Sequence, residues 1–585
     1  MRTAATSALR IITLRHVLAM AAAVCVLQKP AASWCASLPA PVLEPRFTVT
    51  SLGVVPAAAI ASTVIRSPDD RHLAYVATEA GSAKKHVVLD GAALPSFSDI
   101  PVGKLSEAGR AMPLRFSPDS KHLAYVATVD GGCALVLDGE PGKPYSDIGV
   151  GKFAFSPDSK HLVCVAASGS GEGRKERVVM DGREGTAYDF IDAFPRFSWD
   201  SAHLYYTARA NDRSFIIRDG KVAAEASHLS NLTFSPDGDR LAFVQREGEK
   251  WQVVVDGRVE GPYDSIGNNL VFSRDGKRFL YSARRGTDGF LVVDGKELGK
   301  KGTVREASYG FDATGRPYHV LLNSGGTFAE IGDGEFGPYK DIFGGFSFSE
   351  DGSHFSFTAA DGTGPNGRWM VIDGKPGSHF DYFPSDVQFS AHGEHSFYAG
   401  TRAGKTIAVV DGKEFPCAAV AACRFSPDGK HVAWAIYPEA GSEKAMVYVD
   451  NKEQRQVIAL ASGLFFSPDG QHLAFLEHRP GMLLNGAEFQ AQDSLMVDGK
   501  VAVTQEAIRV FDFTADDKSY VLVAQTRDGA HLEVQGKQVG RSAEFEEIMD
   551  LPGIVRDSTS GGEHFHAVGR RGEELFRIEL VLPAN

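Results

Sequence analysis

Apolar residues in this chain come in short uninterrupted runs, HLAYVA at 72–77, HLVCVA at 161–166, RLAFVQ at 240–245, each a few residues long. Runs of that length, apolar at successive positions, predict strands covered on both faces. No helical period appears beyond the first residues. The polar punctuation between runs is equally regular. Each run follows a turn of the form Phe-Ser-Pro-Asp-Gly or Phe-Ser-Pro-Asp-Ser, as at 116–120, 234–238, 425–429 and 466–470. Pro suits the first central position of such a turn, Asp the second, and Gly supplies the left-handed residue that completes the hairpin. A third strand then ends in Asp-Gly, as in VVLDG at 87–91, VVVDG at 253–257 and LVVDG at 291–295. Asp-Gly between strands is a tight-hairpin signal. A fourth short segment reads aromatic-x-x-Ile: PYSDI at 144–148, AYDFI at 187–191, PYDSI at 262–266, PYKDI at 338–342.

This order of elements repeats. Phe116, Phe155, Phe197, Phe234 and Phe272 stand 37 to 42 residues apart. The series continues at Phe311, Phe348, Phe389, Phe425, Phe466 and Phe513, with an earlier copy at 65–77 and a worn one from Val555. That makes thirteen copies of about 41.5 residues. Four short strands per copy at this period predict propeller blades, with a solenoid as the other architecture. The expected fold is therefore all-β, built from about thirteen four-stranded blades. Thirteen exceeds the usual ring of roughly four to eight. Tandem β-propellers are expected, six blades plus seven, over 46–302 and 303–585. The break is placed near 296–308, where KELGKKGTVREAS lacks the aromatic-x-x-Ile element and the next copy has lost its Ser-Pro. Seven plus six, breaking near 343, is the alternative. RFTVTSLG at 46–53 is expected to add an outer strand that closes a ring.

The FSPDGKHLAY pattern resembles the propeller repeat of TolB-like proteins, which are related to WD-type blades. The resemblance covers nearly all of the chain after its first segment. It implies the fold alone, because no βα alternation marks the α/β domain that TolB carries before its propeller.

Composition narrows the function. The chain has 585 residues and a formal net charge of −13, which disfavours nucleic acid as a partner. Residues 1–37 read as a signal peptide. Arg2, Arg10 and Arg15 precede an apolar run at 17–27, and small residues offer cleavage after Ser33 or Ser37. Export to the periplasm or the outside is expected, with no membrane span after signal removal. An uncleaved anchor is the alternative. In an oxidising compartment, Cys417 and Cys423 of CAAVAAC are a candidate disulfide.

The loops joining second to third strands vary from copy to copy, and variable loops on a rigid scaffold are where binding resides. In the first half they carry eleven basic and eight acidic residues, a surplus of +3 in an acidic protein. Lys84, Lys85, Arg174, Lys175, Arg177, Arg213, Arg246, Lys250, Arg284 and Arg285 are therefore the candidate contacts to an acidic partner. Eight of the eighteen histidines, His72, His122, His161, His203, His354, His395, His431 and His472, share one repeat position. Equivalent positions in successive blades point in different directions, so these are read as structural rather than metal-binding. His564 and His566 share a strand face and receive the same reading. No G-x-S-x-G elbow and no H-E-x-x-H zinc motif occurs. A sialidase-type repeat fails at Lys430. No catalytic residue, cofactor or metal is assigned. The expected function is non-catalytic protein–protein interaction or scaffolding. A hydrolase or lyase acting on a polysaccharide or peptide from a propeller channel is the alternative.

Overall fold

Each Asp-Gly pair closes a tight hairpin because both residues take the left-handed conformation: φ is 50° at Asp90 and 79° at Gly91, and 50° at Asp256 and 79° at Gly257. Two left-handed residues in sequence match the twist of the flanking strands. The Ser-Pro-Asp turns close with a backbone bond from the fifth residue of each motif to the Ser carbonyl, at 2.9 Å for both Ser120 to Ser117 and Gly238 to Ser235. The fifth residue is left-handed whether it is Gly238 (φ 79°) or Ser120 (φ 65°).

The computed structural model describes residues 46–583 apart from 55–62, 70, 80, 103–112, 193, 361–366, 461–462, 485–486, 515–516, 518, 528, 540–544, 546, 549–554, 558–561 and 573. The expected signal peptide at 1–37 lies outside these residues. Among the described residues there is no α-helix, and none long and apolar enough to cross a membrane. The strands form a succession of antiparallel sheets, most of them four-stranded and paired in chain order, one per repeat copy. This is a β-propeller architecture. Numbering the sheets along the chain, sheet 1 is 65–93, sheet 2 is 114–141, sheet 3 is 147–184, sheet 4 is 190–226, sheet 5 is 228–263, sheet 6 begins at Ser265, sheet 7 ends at Tyr339, sheet 8 is 341–380, sheet 9 is 388–417 and sheet 10 is 419–458.

Neighbouring sheets face one another through apolar side chains. Val76 and Val87 of sheet 1, with Phe97 and Ile100 of the segment that follows it, meet Leu114, Tyr125 and Val136 of sheet 2. Phe397 and Val410 of sheet 9 meet Val432, Trp434 and Ile436 of sheet 10. Such two-sided coverage is why the strands read as continuous apolar runs.

Two features depart from the regular plan. Lys296–Phe311 is a single strand of 16 residues. Its first part pairs with Asp288–Val293 as the outer strand of sheet 6, and its second part pairs with Pro317–Asn323 as the inner strand of sheet 7. The proposed boundary at 302/303 thus falls inside one strand. The second feature is Arg46–Val54. It pairs antiparallel with Glu574–Pro583, from Arg46 opposite Val581 to Val54 opposite Glu574. The expected added outer strand is therefore present, and the sheet it joins is the last one.

Candidate functional site

The two turn classes sit together on one face. In sheet 2, the Ser117 hydroxyl donates to Asp119 at 2.6 Å and accepts the backbone N–H of His122 at 3.0 Å. The His122 ring meets the Asp138 carboxylate of the Asp-Gly turn through Nδ1 at 2.7 Å, and the other oxygen of Asp138 accepts the Leu123 N–H at 2.8 Å. One Ser, one His and two Asp lock both hairpins of the sheet. The bond from Ser117 holds the Asp119 carboxyl down at about 2.

The same His–Asp pair recurs at His72–Asp90, His161–Asp181, His203–Asp219, His354–Asp373, His395–Asp411, His431–Asp450 and His472–Asp498, all between 2.7 and 2.9 Å. Arg240–Asp256 and Arg278–Asp294 replace it at 2.8 and 3.0 Å. Each histidine of the repeat position is thus engaged by its own sheet. Among the described residues no three His, Cys, Asp or Glu side chains come together as a metal site. The side chains of His564 and His566 lie outside the described residues. The sequence showed the recurrence of His and of Asp-Gly but not that one holds the other, since their separation varies with the intervening loop.

Turns of successive sheets are also tied together. The N–H of Asp69 donates to Ser120 at 3.0 Å, that of Asp119 to Ser159 at 2.9 Å, and that of Asp158 to Ser201 at 3.0 Å. Farther along, arginine takes over: Arg240 donates to the Gly276 and Lys277 carbonyls at 3.0 and 2.7 Å, and Arg278 to that of Gly315 at 2.9 Å. His395 does the same with its second ring nitrogen, 2.8 Å from the Lys430 carbonyl.

With an acceptor at each nitrogen, His395 donates twice, and that requires the imidazolium. The Asp411 carboxylate chiefly, then the Lys430 carbonyl, raise its pKa from the ordinary 6.5 to about 9 against the opposing effect of burial. The stability this adds is fully present below about pH 6.5 and is lost as pH rises through about 9. His395→Ala should therefore cost on the order of 2 kcal/mol at pH 6, and the difference from wild type should shrink by pH 10. Thermal melts of both proteins across that range check it, and a cost that does not vary with pH would refute the paired imidazolium.

The opposite face carries the variable loops and the basic residues singled out from the sequence. Most of them are engaged within the chain. Lys85 pairs with Asp99 at 2.6 Å, Arg174 with Glu176 at 2.8 Å, Arg177 with Glu184 at 2.6 Å, Arg213 with Glu225 at 3.1 Å and Arg285 with Glu297 at 2.9 Å. Lys175 is bonded to Asp189 and Lys250 to Asp264. Arg246 donates to the Gly248 carbonyl and lies over the Trp251 ring at 5.3 Å. The Lys84 and Arg284 side chains are exposed. The positive surplus counted in the loops is thus largely neutralised by carboxylates on the third and fourth strands and on the aromatic-x-x-Ile segments. A count confined to the loops omits all of these but Glu176. Exposed ion pairs of this kind stabilise little but fix side-chain geometry.

Cys417 ends the outer strand of sheet 9, and Cys423 lies on the inner strand of sheet 10, opposite Trp434. The expected disulfide is not formed in this structure. Both are free buried thiols in one apolar cluster, and burial pushes the Cys423 thiol up to about 12.

A cavity of about 300 Å³ opens on the loop face where sheets 6 and 7 meet. Ser265, Ser282, Arg284, Gly289, Thr303 and Arg305 are among the residues lining it. It lies where the sequence lost its aromatic-x-x-Ile element, an irregularity read there as a ring boundary.

No family model matches the chain, and neither does any curated protein. Solved structures similar to it include the β-propeller domain of the Trilobed protease from Pyrococcus furiosus, at 14% identity over 53% of this chain and 93% of that one, with a TM-score of 0.20. TolB from Acinetobacter baumannii is similar at 16% identity over 52% of this chain and 79% of that one, with a TM-score of 0.19. A eukaryotic initiation factor structure is similar at 14% identity over 66% of this chain and 94% of that one, with a TM-score of 0.27.

Proposed function

We propose that this is an exported, non-catalytic β-propeller protein that docks a protein partner on its variable-loop face. The observation that carries the reading is the division between the two faces. On one, the Ser, Asp and His side chains are committed to holding turns, as Ser117, Asp119, His122 and Asp138 are. On the other, loops of different sequence project from sheets made rigid by that bonding, and rigid scaffolds with variable loops are binding platforms. In the same reading residues 1–37 direct export, and the copies divide into two rings near 302, with Lys296–Phe311 as the passage between them and Arg46–Val54 lent to the last sheet of the second.

The test is cross-linking in the envelope or secreted fraction of the source, with adducts mapped by mass spectrometry. A reproducible partner joined through Lys84, Lys85, Lys175 or Lys250 is expected. Capture of no partner, or adducts spread evenly over both faces, would overturn docking by this face.

A further inference from the structure

At one register position many sheets set a residue of the third strand opposite an aromatic residue of the fourth segment, and two, Ser214–Ala226 and Thr406–Cys417, use a smaller buried residue there. The pairs include Lys85–Phe97, Cys133–Tyr145 and Glu176–Tyr188, then Trp251–Tyr263, Thr327–Tyr339 and Arg368–Phe380. The aromatic member is buried in all of these pairs but the half-buried Tyr339: Tyr145 and Tyr188 are each 6% exposed and Phe380 is 1% exposed. It fills the junction with the next sheet, as Tyr145 does beside Ile148 and Phe153. In sheet 6 the pair is Gly289–Gly302, so neither strand supplies a side chain. A side chain cannot be restored at 302, because a Cβ there would lie 2.6 Å from the Leu322 carbonyl oxygen. The cavity of about 300 Å³ adjoins this bare pair, and Gly289 lines it.

The arginine at its edge marks what is missing. In sheet 5, Arg246 stands opposite Trp251 in register, and its guanidinium lies over that ring at 5.3 Å. In sheet 6, Arg284 stands opposite Gly289, lines the cavity and, among the described residues, has no ring beneath it. A guanidinium over an aromatic face is a favourable contact that this site holds ready.

The chain also shows what fits such a junction. Its own plugs are aromatic residues with an aspartate one or two positions on, and that aspartate pairs with a neighbouring base, as in Lys85–Asp99, Lys175–Asp189 and Lys250–Asp264. In sheet 6 the position of Lys175 and Lys250 holds Asp288 instead, and the cation beside the gap is Arg284. Arg305 also lines the cavity but is bound to Asp341 and the Ile342 carbonyl. Glu306 lines it as well, so one acidic group is accommodated and an acidic tract is not.

We propose that this cavity receives an aromatic side chain of the docked partner, presented on an extended segment with an aspartate or glutamate one or two residues after it. The partner's ring takes the place beneath Arg284 that Trp251 occupies beneath Arg246, and its carboxylate faces the guanidinium. This site rests on the docking reading above and names the segment that would be docked.

The probe is a fluorescein-labelled peptide copying residues 142–148, GKPYSDI, titrated against the full chain by anisotropy. Saturable binding is expected, lost when the peptide Tyr becomes Ala and weakened when its Asp becomes Asn. Gly289→Trp copies the sheet 5 arrangement, fills the cavity and should abolish binding. A Cβ at 289 meets its nearest neighbour at an ordinary 3.4 Å. Arg284→Ala, at an exposed position, should weaken binding about tenfold. Equal binding of the Tyr and Ala peptides, or unchanged affinity in Gly289→Trp, would overturn the site. Should that variant fail to fold, unchanged affinity in Arg284→Glu overturns it instead. The cross-linking experiment separates the two readings. A partner captured equally by wild type and Gly289→Trp leaves docking standing and removes this cavity from it. Peptide binding by a chain that captures no partner keeps the cavity and removes the docking reading.

Discussion

Deletion of residues 46–54 should strip hydrogen-exchange protection from Glu574–Pro583, some 520 residues away in sequence. Arg46–Val54 supplies the outer ladder of the last sheet through eight residue pairs in register. At roughly 1 kcal/mol net per backbone hydrogen bond, its loss removes on the order of 5 kcal/mol from that sheet. The consequence reaches the core, because Ile578 and Leu580 of the strand left uncovered pack with Phe545 and Phe565, and with Val521 and Leu532 of the preceding sheet. An uncovered apolar edge strand is also a template for pairing with other chains. Mass-spectrometric exchange should show Glu574–Pro583 exchanging far faster, with exchange in sheets 2 to 5 little changed and a rise in oligomers on sizing. Unaltered protection of the C-terminal strand would show that the seam does not hold the sheet.

Trp434 gives the largest expected effect of a single side chain. It is fully buried, stacked on Tyr448 with centroids 4.1 Å apart and 6° between planes, with Phe415 at 4.4 Å. Trp434→Ala should cost about 3–5 kcal/mol, the range for emptying a large aromatic site. The indole Nε1 has no hydrogen-bond partner among the described residues. A buried donor without a partner opposes folding, so Trp434→Phe recovers part of its lost packing by removing that donor. Its cost should stay below about 1.5 kcal/mol. Denaturant titration of the two variants checks the ratio. Equal losses in both would mean that the stack contributes little and the site collapses alike around either residue.

Most of the fold was legible because its signals are local. Asp-Gly at 90–91 and Ser-Pro-Asp at 117–119 specify their turns through φ preferences and side-chain-to-backbone bonds that span a few residues. Strands covered on both sides announce themselves by unbroken apolar runs such as Leu73–Thr78. The closing role of 46–53 could be read because a strand without a hairpin partner needs an edge elsewhere, but which edge it takes depends on contacts no local pattern encodes. The candidate face was read less well, for the same reason. Whether Lys175 or Arg285 offers a charge depends on Asp189 and Glu297 across the sheet, and a loop-by-loop count does not see them. The cavity had left a visible trace, the missing aromatic near 302. That a gap in the packing stands there could be read only by knowing that its opposite number is also a glycine.

The ties between neighbouring turns have a direction. Asp69, Asp119 and Asp158 each donate to the following copy, and Arg240 and Arg278 do likewise. A chain made from its N-terminus can therefore complete each tie as the next copy emerges, and folding can keep pace with synthesis. One bond set is exempt from that schedule. Arg46–Val54 is made before every other described strand, and its partner Glu574–Pro583 is made after all of them. The earliest of these strands must wait for the last, so the sheet they share is completed only after every other described strand has been made.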